Sequence, residues 1–273
     1  MDVEFRPALE NQGITFVRSD LPNQPRIRAA VSNRIKGPRR TTLVEQGHSV
    51  EMVEHILAAL QGLQIDNCEI WVNRPEMPGC DGSSAEFVEA ITNAERVEQS
   101  AIKPYLVIDS VIRVGDADCW IQCEPSGTAG LDLTYQLEYR QSSIGEQTYS
   151  LMINPLNFLH ELASARTFVL ESEAKLLRKQ GLGEHVGYDE ILVFGESGPI
   201  QNELRFSNEC ARHKMLDVVG DLALTGTDIH GKLTAHKSGH RLNAMMAMAL
   251  LEQVETKTDF QRDSENRIFN KSA

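Results

Sequence analysis

The same order of predicted elements occurs twice along this chain of 273 residues. Each half ends with a helix, a glycine, a strand, a turn and a second helix, first from Val50 to Ile91 and again from Cys210 to Val254. Helical spacing next to short strands is typical of small sheets covered by helices. The order therefore predicts an α+β fold of two similar layers packed against each other, although the halves share too few residues to prove a repeat.

The length fits two domains of ordinary size or one large one. Residues 93–103 are polar and have the character of a linker, so we expect a first α+β domain at residues 1–103, a second at residues 104–254 and a polar tail at residues 255–273. Residues 163–181 are predicted to be partly helical. The other predicted helices begin at Val50, at Ser83 or Ser84, at Cys210 and at Gly239, and the strands lie at residues 14–17, 27–31, 68–72, 105–114, 119–123, 131–137, 191–194 and 232–235.

Composition and charge exclude several classes of protein. The chain has 39 acidic and 27 basic side chains, and its net charge of -12 argues against nucleic acid as a partner. Its longest apolar run, Ala244–Leu251, is too short to cross a bilayer, and the first four residues do not begin a secretory signal. The five cysteines form no C-x-x-C pair, so no disulfide framework is expected. These features predict a cytoplasmic protein.

The predicted helix from Cys210 carries three polar residues at helical spacing. His213, Asp217 and Asp221 follow one another every four residues and therefore share one face. A histidine and an aspartate one turn apart can bind one metal ion, and both ligand types suit zinc. Histidine and aspartate are also common on a solvated helix face, and spacing alone favours that alternative.

The predicted helix from Val50 carries a second candidate pair, Glu54 and His55, away from its apolar side. In H-E-x-x-H proteases an adjacent histidine and glutamate divide the work, one binding metal and the other acting on water. A solvated helix face is again the simpler alternative.

Two further residues are candidates because of their local context. His240 stands at the start of the last predicted helix, where the positive helix end disfavours imidazolium unless a carboxylate lies nearby. The alternative interpretation of His240 is a capping turn in which Ser238 caps the helix.

The hydroxyl of Thr167 can donate to a developing oxyanion. Its alternative is a buried, hydrogen-bonded threonine.

Ten short segments form a set of motifs that is specific only as a whole. They are Val53–Leu60, Ile65–Asn67, Pro75–Pro78, Asp81–Ser83, Ala165–Phe168, Leu204–Phe206, Arg212–Asp217, Gly220–Leu222, Lys237–His240 and Leu242–Asn243. In this order the chain resembles the zinc-dependent UDP-3-O-acyl-N-acetylglucosamine deacetylase family of lipid A biosynthesis. The resemblance covers most of the chain from Val3 to Leu251.

The resemblance implies two domains, each a small, mostly antiparallel sheet packed with two helices, stacked helix to helix. It also implies removal of acetate from UDP-3-O-(3-hydroxyacyl)-N-acetylglucosamine by amide hydrolysis, with Zn²⁺ as cofactor or Fe²⁺ in its place. A small acylated UDP-sugar would be the partner of a monomer, with transient contact to a membrane surface. The implied site residues are His55, His213 and Asp217 as metal ligands, Glu54 as general base, His240 as general acid, Asp221 to orient it, Thr167 for the oxyanion and Lys214 for substrate and charge.

The chain departs from the family pattern in two places. Family members usually begin with an extra pair of strands before the segment that corresponds to Val3–Pro7. We therefore expect either that Met1 is an internal start of a longer gene product or that this form lacks that edge of the first sheet. The acyl-passage insert, at about residues 168–195, is apolar in the family, whereas here it carries Glu171, Glu173 and the turn Glu184–Gly187. The alternatives are therefore a deacetylase of another N-acetylated sugar, or an inactive relative that acts as a binding protein.

Overall fold

The computed structural model describes residues 1–181, 183 and 186–253. Four strands near the start of the chain form one sheet in the order β1-β7-β2-β3, in which the central pair β7 and β2 is parallel and the outer pairs are antiparallel. Strand β7 alternates buried and half-buried side chains, as a strand with one face on a core must. The bounds are Val3–Pro7 for β1, Ile14–Arg18 for β2, Arg26–Arg28 for β3 and Cys68–Val72 for β7.

A three-stranded antiparallel sheet, β4-β5-β6, lies between these strands in sequence. Its strands are Arg34–Ile35, Thr42–Glu45 and His48–Glu51. The predicted helix from Val50 is wrong at its start, because Val50 pairs with Leu43 in this sheet and helix α1 begins only at Glu54. The turn residues Gln46 and Gly47 both have positive φ, which is the geometry of a tight two-residue hairpin.

The larger sheet has the order β12-β11-β15-β10-β9, with β8 paired to the start of β15. The predicted strand at residues 105–114 is divided into β8 and β9, because β8 pairs with β15 whereas β9 pairs with β10, one strand further out. Strand β12 is an addition that the sequence analysis missed. The bounds are Tyr105–Val107 (β8), Ile112–Gly115 (β9), Trp120–Glu124 (β10), Leu131–Tyr139 (β11), Gly145–Ile153 (β12) and Asp228–His236 (β15).

The helices complete an α+β architecture, which confirms the predicted fold class. Helix α5 packs against β11 and β12 on one side and against α1 on the other. A short parallel pair, β13 with β14, flanks helix α4 in the insert. The bounds are Glu54–Gly62 (α1), Ala85–Asn93 (α2), Pro155–Asn157 (α3), Phe168–Leu170 (β13), Glu171–Lys179 (α4), Leu192–Phe194 (β14), Glu209–Leu222 (α5) and residues 240–253 (α6).

Helices α1 and α5 approach closely because α5 has no side chain at the crossing. A Cβ atom built on Gly220 would lie 2.0 Å from the carbonyl oxygen of Glu54 and 3.2 Å from the backbone nitrogen of Ala58. This contact holds the first turn of α1 against the last turn of α5.

The division of the chain at residues 103 and 104 stays a prediction. The predicted tail at residues 255–273, Val254 and the turn residues Glu184 and His185 lie outside the described residues. Across the residues that are described, no helix combines the length and the apolar character needed to cross a membrane.

Candidate metal centre and active site

The first turn of α1 places Glu54 and His55 inside the protein. Both side chains are buried, so the solvated helix face considered for them is wrong. The burial follows from the crossing with α5, whose glycine lies against the carbonyl of Glu54. The hydroxyl of Ser84 donates to the carbonyl of His55 at 2.8 Å, which ties this turn to the start of α2.

Helix α5 presents His213, Asp217 and Asp221 on one buried face, as their spacing predicts. His213 Nδ1 donates to the carbonyl of Ala165 at 3.0 Å, which leaves Nε2 directed toward Asp217. A backbone acceptor of this kind fixes the ring and its tautomer, as is usual for a metal-binding histidine. Burial lowers the pKa of His213 to about 3, so the ring is neutral and able to bind a cation.

His55, His213 and Asp217 converge from the two helices. Asp217 Oδ1 lies 3.6 Å from His55 Nε2 and 3.5 Å from His213 Nε2, and the ligand atoms of the three residues lie within 4.8 Å of one another. Asp217 Oδ1 is buried and has no hydrogen-bond partner among the described residues. A buried carboxylate oxygen without a partner is costly unless a cation faces it, so this donor set fits a divalent metal ion.

Lys214 lies beside this triad and forms an ion pair with Asp217 Oδ2. Burial alone would raise the pKa of Asp217, but the Lys214 ammonium and the neighbouring histidines together outweigh it and hold the pKa well below the ordinary value. Asp217 therefore remains an anion in a site from which water is largely excluded, and its other oxygen, Oδ1, stays available to a metal.

Glu54, His240 and Asp221 form a second group next to the triad. His240 Nδ1 donates to Asp221 Oδ2 at 2.9 Å, and His240 Nε2 lies 3.7 Å from Glu54 Oε1. Burial would lower the pKa of His240, but the charges of Asp221, Asp217 and Glu54 together raise it to about 9. Burial also raises the pKa of Glu54, against the opposing charges of His240 and His55. A protonated histidine thus faces a carboxylate that can accept a proton.

The segment that carries Thr167 runs beside His213, because Ala165, two residues before it, and Phe168, directly after it, both lie against that ring. Ala165 accepts the hydrogen bond from His213, and the ring of Phe168 lies 6.4 Å from the ring of His213. The backbone of Thr167 is fixed by hydrogen bonds to Gly82 and Leu192. Its hydroxyl has no hydrogen-bond partner within the part of the chain that the structure describes, so the buried, bonded threonine considered as its alternative is absent here.

A buried ion pair that the sequence analysis missed supports this segment. Arg166 Nε donates to Glu209 Oε1 at 2.8 Å, and the backbone N–H of Arg205 donates to Glu209 Oε2 at 2.7 Å. Arg205 Nη1 also forms an ion pair with Asp81 at 2.7 Å. Three of the motif segments therefore hold each other in place around Thr167. Arg166 and Glu209 are 43 residues apart in the sequence, so no local sequence pattern could have revealed this pair.

Two more residues that sequence reasoning did not assign reach the site. Asn243 Nδ2 donates to Asp221 Oδ2 at 2.7 Å. Thr41 bonds through its backbone N–H to Glu54 and through its hydroxyl to Asp221. Asn243 belongs to a motif segment, whereas Thr41 belongs to none.

A buried set of side chains that could hold a metal ion, beside a carboxylate and a protonated histidine, is the arrangement expected of a metal-dependent hydrolase. A family model described as "LpxC: UDP-3-O-acyl N-acetylglycosamine deacetylase" matches residues 1–252 of this chain. The chain belongs to this family, which confirms the identification made from the sequence motifs.

Curated relatives agree with this assignment. A UDP-3-O-acyl-N-acetylglucosamine deacetylase of Syntrophus aciditrophicus is 35% identical over 259 residues, which cover 94% of this chain and 82% of that protein. The enzyme of the same name from Haemophilus influenzae is 35% identical over 254 residues, which cover 92% of this chain and 83% of that protein. A bifunctional enzyme LpxC/FabZ of Chlorobaculum tepidum is 37% identical over 268 residues, which cover 88% of this chain and 57% of that protein.

Proposed function

We propose that this chain is a zinc-dependent deacetylase that releases acetate from UDP-3-O-(3-hydroxyacyl)-N-acetylglucosamine. The observation that carries the proposal is the position of the Glu54–His240 pair, 3.7 Å apart, directly beside the His55–His213–Asp217 triad. One carboxylate and one protonated histidine are the two groups that hydrolysis of an amide requires, one to accept a proton and one to donate it. Family membership supplies the substrate class.

His55 Nε2, His213 Nε2 and Asp217 Oδ1 would hold the metal ion. Two imidazole nitrogens and one carboxylate oxygen suit zinc and leave a coordination position open, while iron(II) accepts the same ligands. A divalent ion bound there supplies Lewis acidity, which polarises the acetamide carbonyl and lowers the pKa of water.

Glu54 takes a proton from the attacking water through Oε1, the oxygen that faces His240. As the C–O bond forms, the hydroxyl of Thr167 donates a hydrogen bond to the carbonyl oxygen that becomes negative. Lys214 adds positive charge to the site beside Asp217.

His240 then donates its proton to the amide nitrogen while the C–N bond breaks. Asp221 holds Nδ1 of the ring, which directs Nε2 into the site and favours the protonated form. The products are acetate and the free amine of the acylated UDP-glucosamine. The water supplies the new oxygen, and the proton that Glu54 took from it passes to His240, 3.7 Å away, which restores both groups.

The insert favours a second candidate for the substrate. Helix α4 has no buried side chain, and Glu171 and Glu173 are half-buried where the family's acyl passage is apolar. This observation supports a changed acyl-chain preference, or an N-acetylated sugar other than the lipid A precursor.

We also propose that the protein is a cytoplasmic monomer that meets its substrate at the membrane surface.

Acetate release from the UDP-3-O-(3-hydroxyacyl)-N-acetylglucosamine substrate, with added zinc, tests the proposal. We expect turnover by the parent chain, none by Glu54→Ala, and parental turnover by the control Glu98→Ala, an exposed glutamate outside the site. A folded parent that binds zinc but releases no acetate would contradict this substrate. Acetate release from a different N-acetylated sugar would then support the second candidate.

A further inference from the structure

Thr41 contacts both carboxylates that flank His240, although no motif marks it. It lies directly before β5 and is 0% exposed. Its backbone N–H donates to Glu54 Oε2 at 2.9 Å, and its hydroxyl donates to Asp221 Oδ1 at 2.5 Å. Its carbonyl accepts from the backbone N–H of Val53 at 3.3 Å, which fixes the start of α1. The backbone N–H, the hydroxyl and the carbonyl of Thr41 therefore all form hydrogen bonds to α5 or to the start of α1.

The two hydrogen bonds decide which carboxylate oxygens face His240. Because Thr41 binds Oε2 of Glu54, the other oxygen, Oε1, lies 3.7 Å from His240 Nε2. Because Thr41 binds Oδ1 of Asp221, the other oxygen, Oδ2, accepts from His240 Nδ1 at 2.9 Å. Among the described residues, Thr41 alone donates hydrogen bonds to both carboxylates.

The geometry points to Thr41 as a positioning residue for the deacetylation. It connects Glu54 on α1 to Asp221 on α5, and so fixes the base relative to the Asp221–His240 pair across the interface between the helices. Among the described residues, no hydrogen bond joins Thr41 to His55, His213 or Asp217, so its effect passes through the two carboxylates. This inference rests on the proposed function.

The substitution Thr41→Val tests the hydroxyl, because valine keeps the shape of threonine and removes the donor. We expect kcat to fall by about 10- to 100-fold, as for other residues that orient a catalytic group through hydrogen bonds. We expect KM to change by less than about threefold. The zinc content should stay the same, since Thr41 forms no hydrogen bond to any of the three proposed metal ligands. Thr41→Ser keeps the hydroxyl and should restore kcat to near the parental value.

Thr42→Val is the matched control. Thr42 is the next residue and is also buried, and no hydrogen bond joins it to the site in the described part of the chain. This variant should keep the parental kcat. If Thr41→Val does not fold, Thr41→Cys replaces it, because a thiol of similar volume is only a weak donor and should cause the same loss.

A second measurement does not depend on turnover. In the ¹⁵N-histidine NMR spectrum of the metal-free protein, the His240 ring nitrogens are identified by their loss in His240→Gln. Their shifts should move in Thr41→Val and stay unchanged in Thr41→Ser and Thr42→Val. If the parent chain itself releases no acetate, the proposed function fails, and this spectrum still decides whether Thr41 positions His240.

Three results would overturn the inference. They are a Thr41→Val enzyme with kcat within twofold of the parent, a loss of kcat that Thr41→Ser shares, and His240 shifts that Thr41→Val leaves in place. Any of them would reduce Thr41 to a buried residue of the fold without an influence on the proton-transfer pair.

Discussion

The crossing of α1 and α5 at Gly220 allows the strongest test of how the fold builds the metal centre. In Gly220→Ala, the new Cβ atom would stand 2.0 Å from the carbonyl oxygen of Glu54 and 2.9 Å from its carbonyl carbon. Both are backbone atoms, so no side chain can rotate away. The helices must separate, and His55 lies on one of them while His213 and Asp217 lie on the other.

The size of the separation follows from the contact distance. Real Cβ contacts essentially never fall below 3.0 Å, so the backbones must move apart by about 1 Å, which is about twice the tolerance of a working site. Glycine to alanine in a helix ordinarily stabilises by about 0.5–1 kcal/mol, whereas overpacking a tight contact costs about 1–3 kcal/mol. Because the clash is with the backbone, we expect the overpacking to win and the unfolding free energy to fall by about 1–2 kcal/mol.

Zinc affinity and stability are measured together on the same variant. We expect competition with a coloured chelator to show weaker zinc binding, and a displacement of about 1 Å to lower kcat by about 100-fold. Gly127→Ala is the control, because a Cβ atom there meets nothing within 4 Å and φ is not positive. A Gly220→Ala protein with parental stability and parental zinc affinity would refute the reasoning.

Three further outcomes are expected. His55→Ala and Asp217→Ala should each reduce bound zinc from about one ion per chain to nearly none, measured by elemental analysis, and unchanged zinc content would exclude the residue as a ligand. Glu54→Gln should keep the metal and lose about 10²- to 10⁴-fold in kcat for acetate release, so a kcat near the parental value would remove it as base. In the metal-free protein, ¹⁵N NMR should give His240 a pKa of about 9, and Asp221→Asn should lower it. This pKa lies above the ordinary value of 6.5, so protonation of His240 stabilises the folded protein fully below pH 6.5. That stabilisation is lost as the pH rises through about 9. A pKa at or below 6.5 would contradict the role of Asp221.

Elements with strong local signals were predicted well from the sequence. The strand Cys68–Val72 has the predicted bounds, and helix α5 differs from its prediction by one or two residues at each end. Both patterns arise within a single element. Strand β12 was missed and Val50 was assigned to a helix, although each lies in a hairpin with the strand just before it. The apolar spacing of residues 50–60 fits a helix, and it does not show that Val50 turns back to pair with Leu43.

The burial of the site could not be predicted from the sequence either. Spacing placed Glu54 and His55 together on a polar helix face, but the first turn of α1 crosses α5 at Gly220, at the far end of that helix. The triad itself came from the family resemblance, since spacing along α5 cannot show that His55 meets it. Thr41 gave no signal, because a threonine before a strand is ordinary and its two partners lie 13 and 180 residues away.

The division of the site between α1 and α5 determines when during synthesis it can form. Glu54 and His55 leave the ribosome before Asp217 and His240, which lie on α5 and at the start of α6. A nascent chain that stops before α5 carries one of the three proposed metal ligands and the proposed base without its acid. A complete candidate site therefore exists only once α5 and the start of α6 have been synthesised.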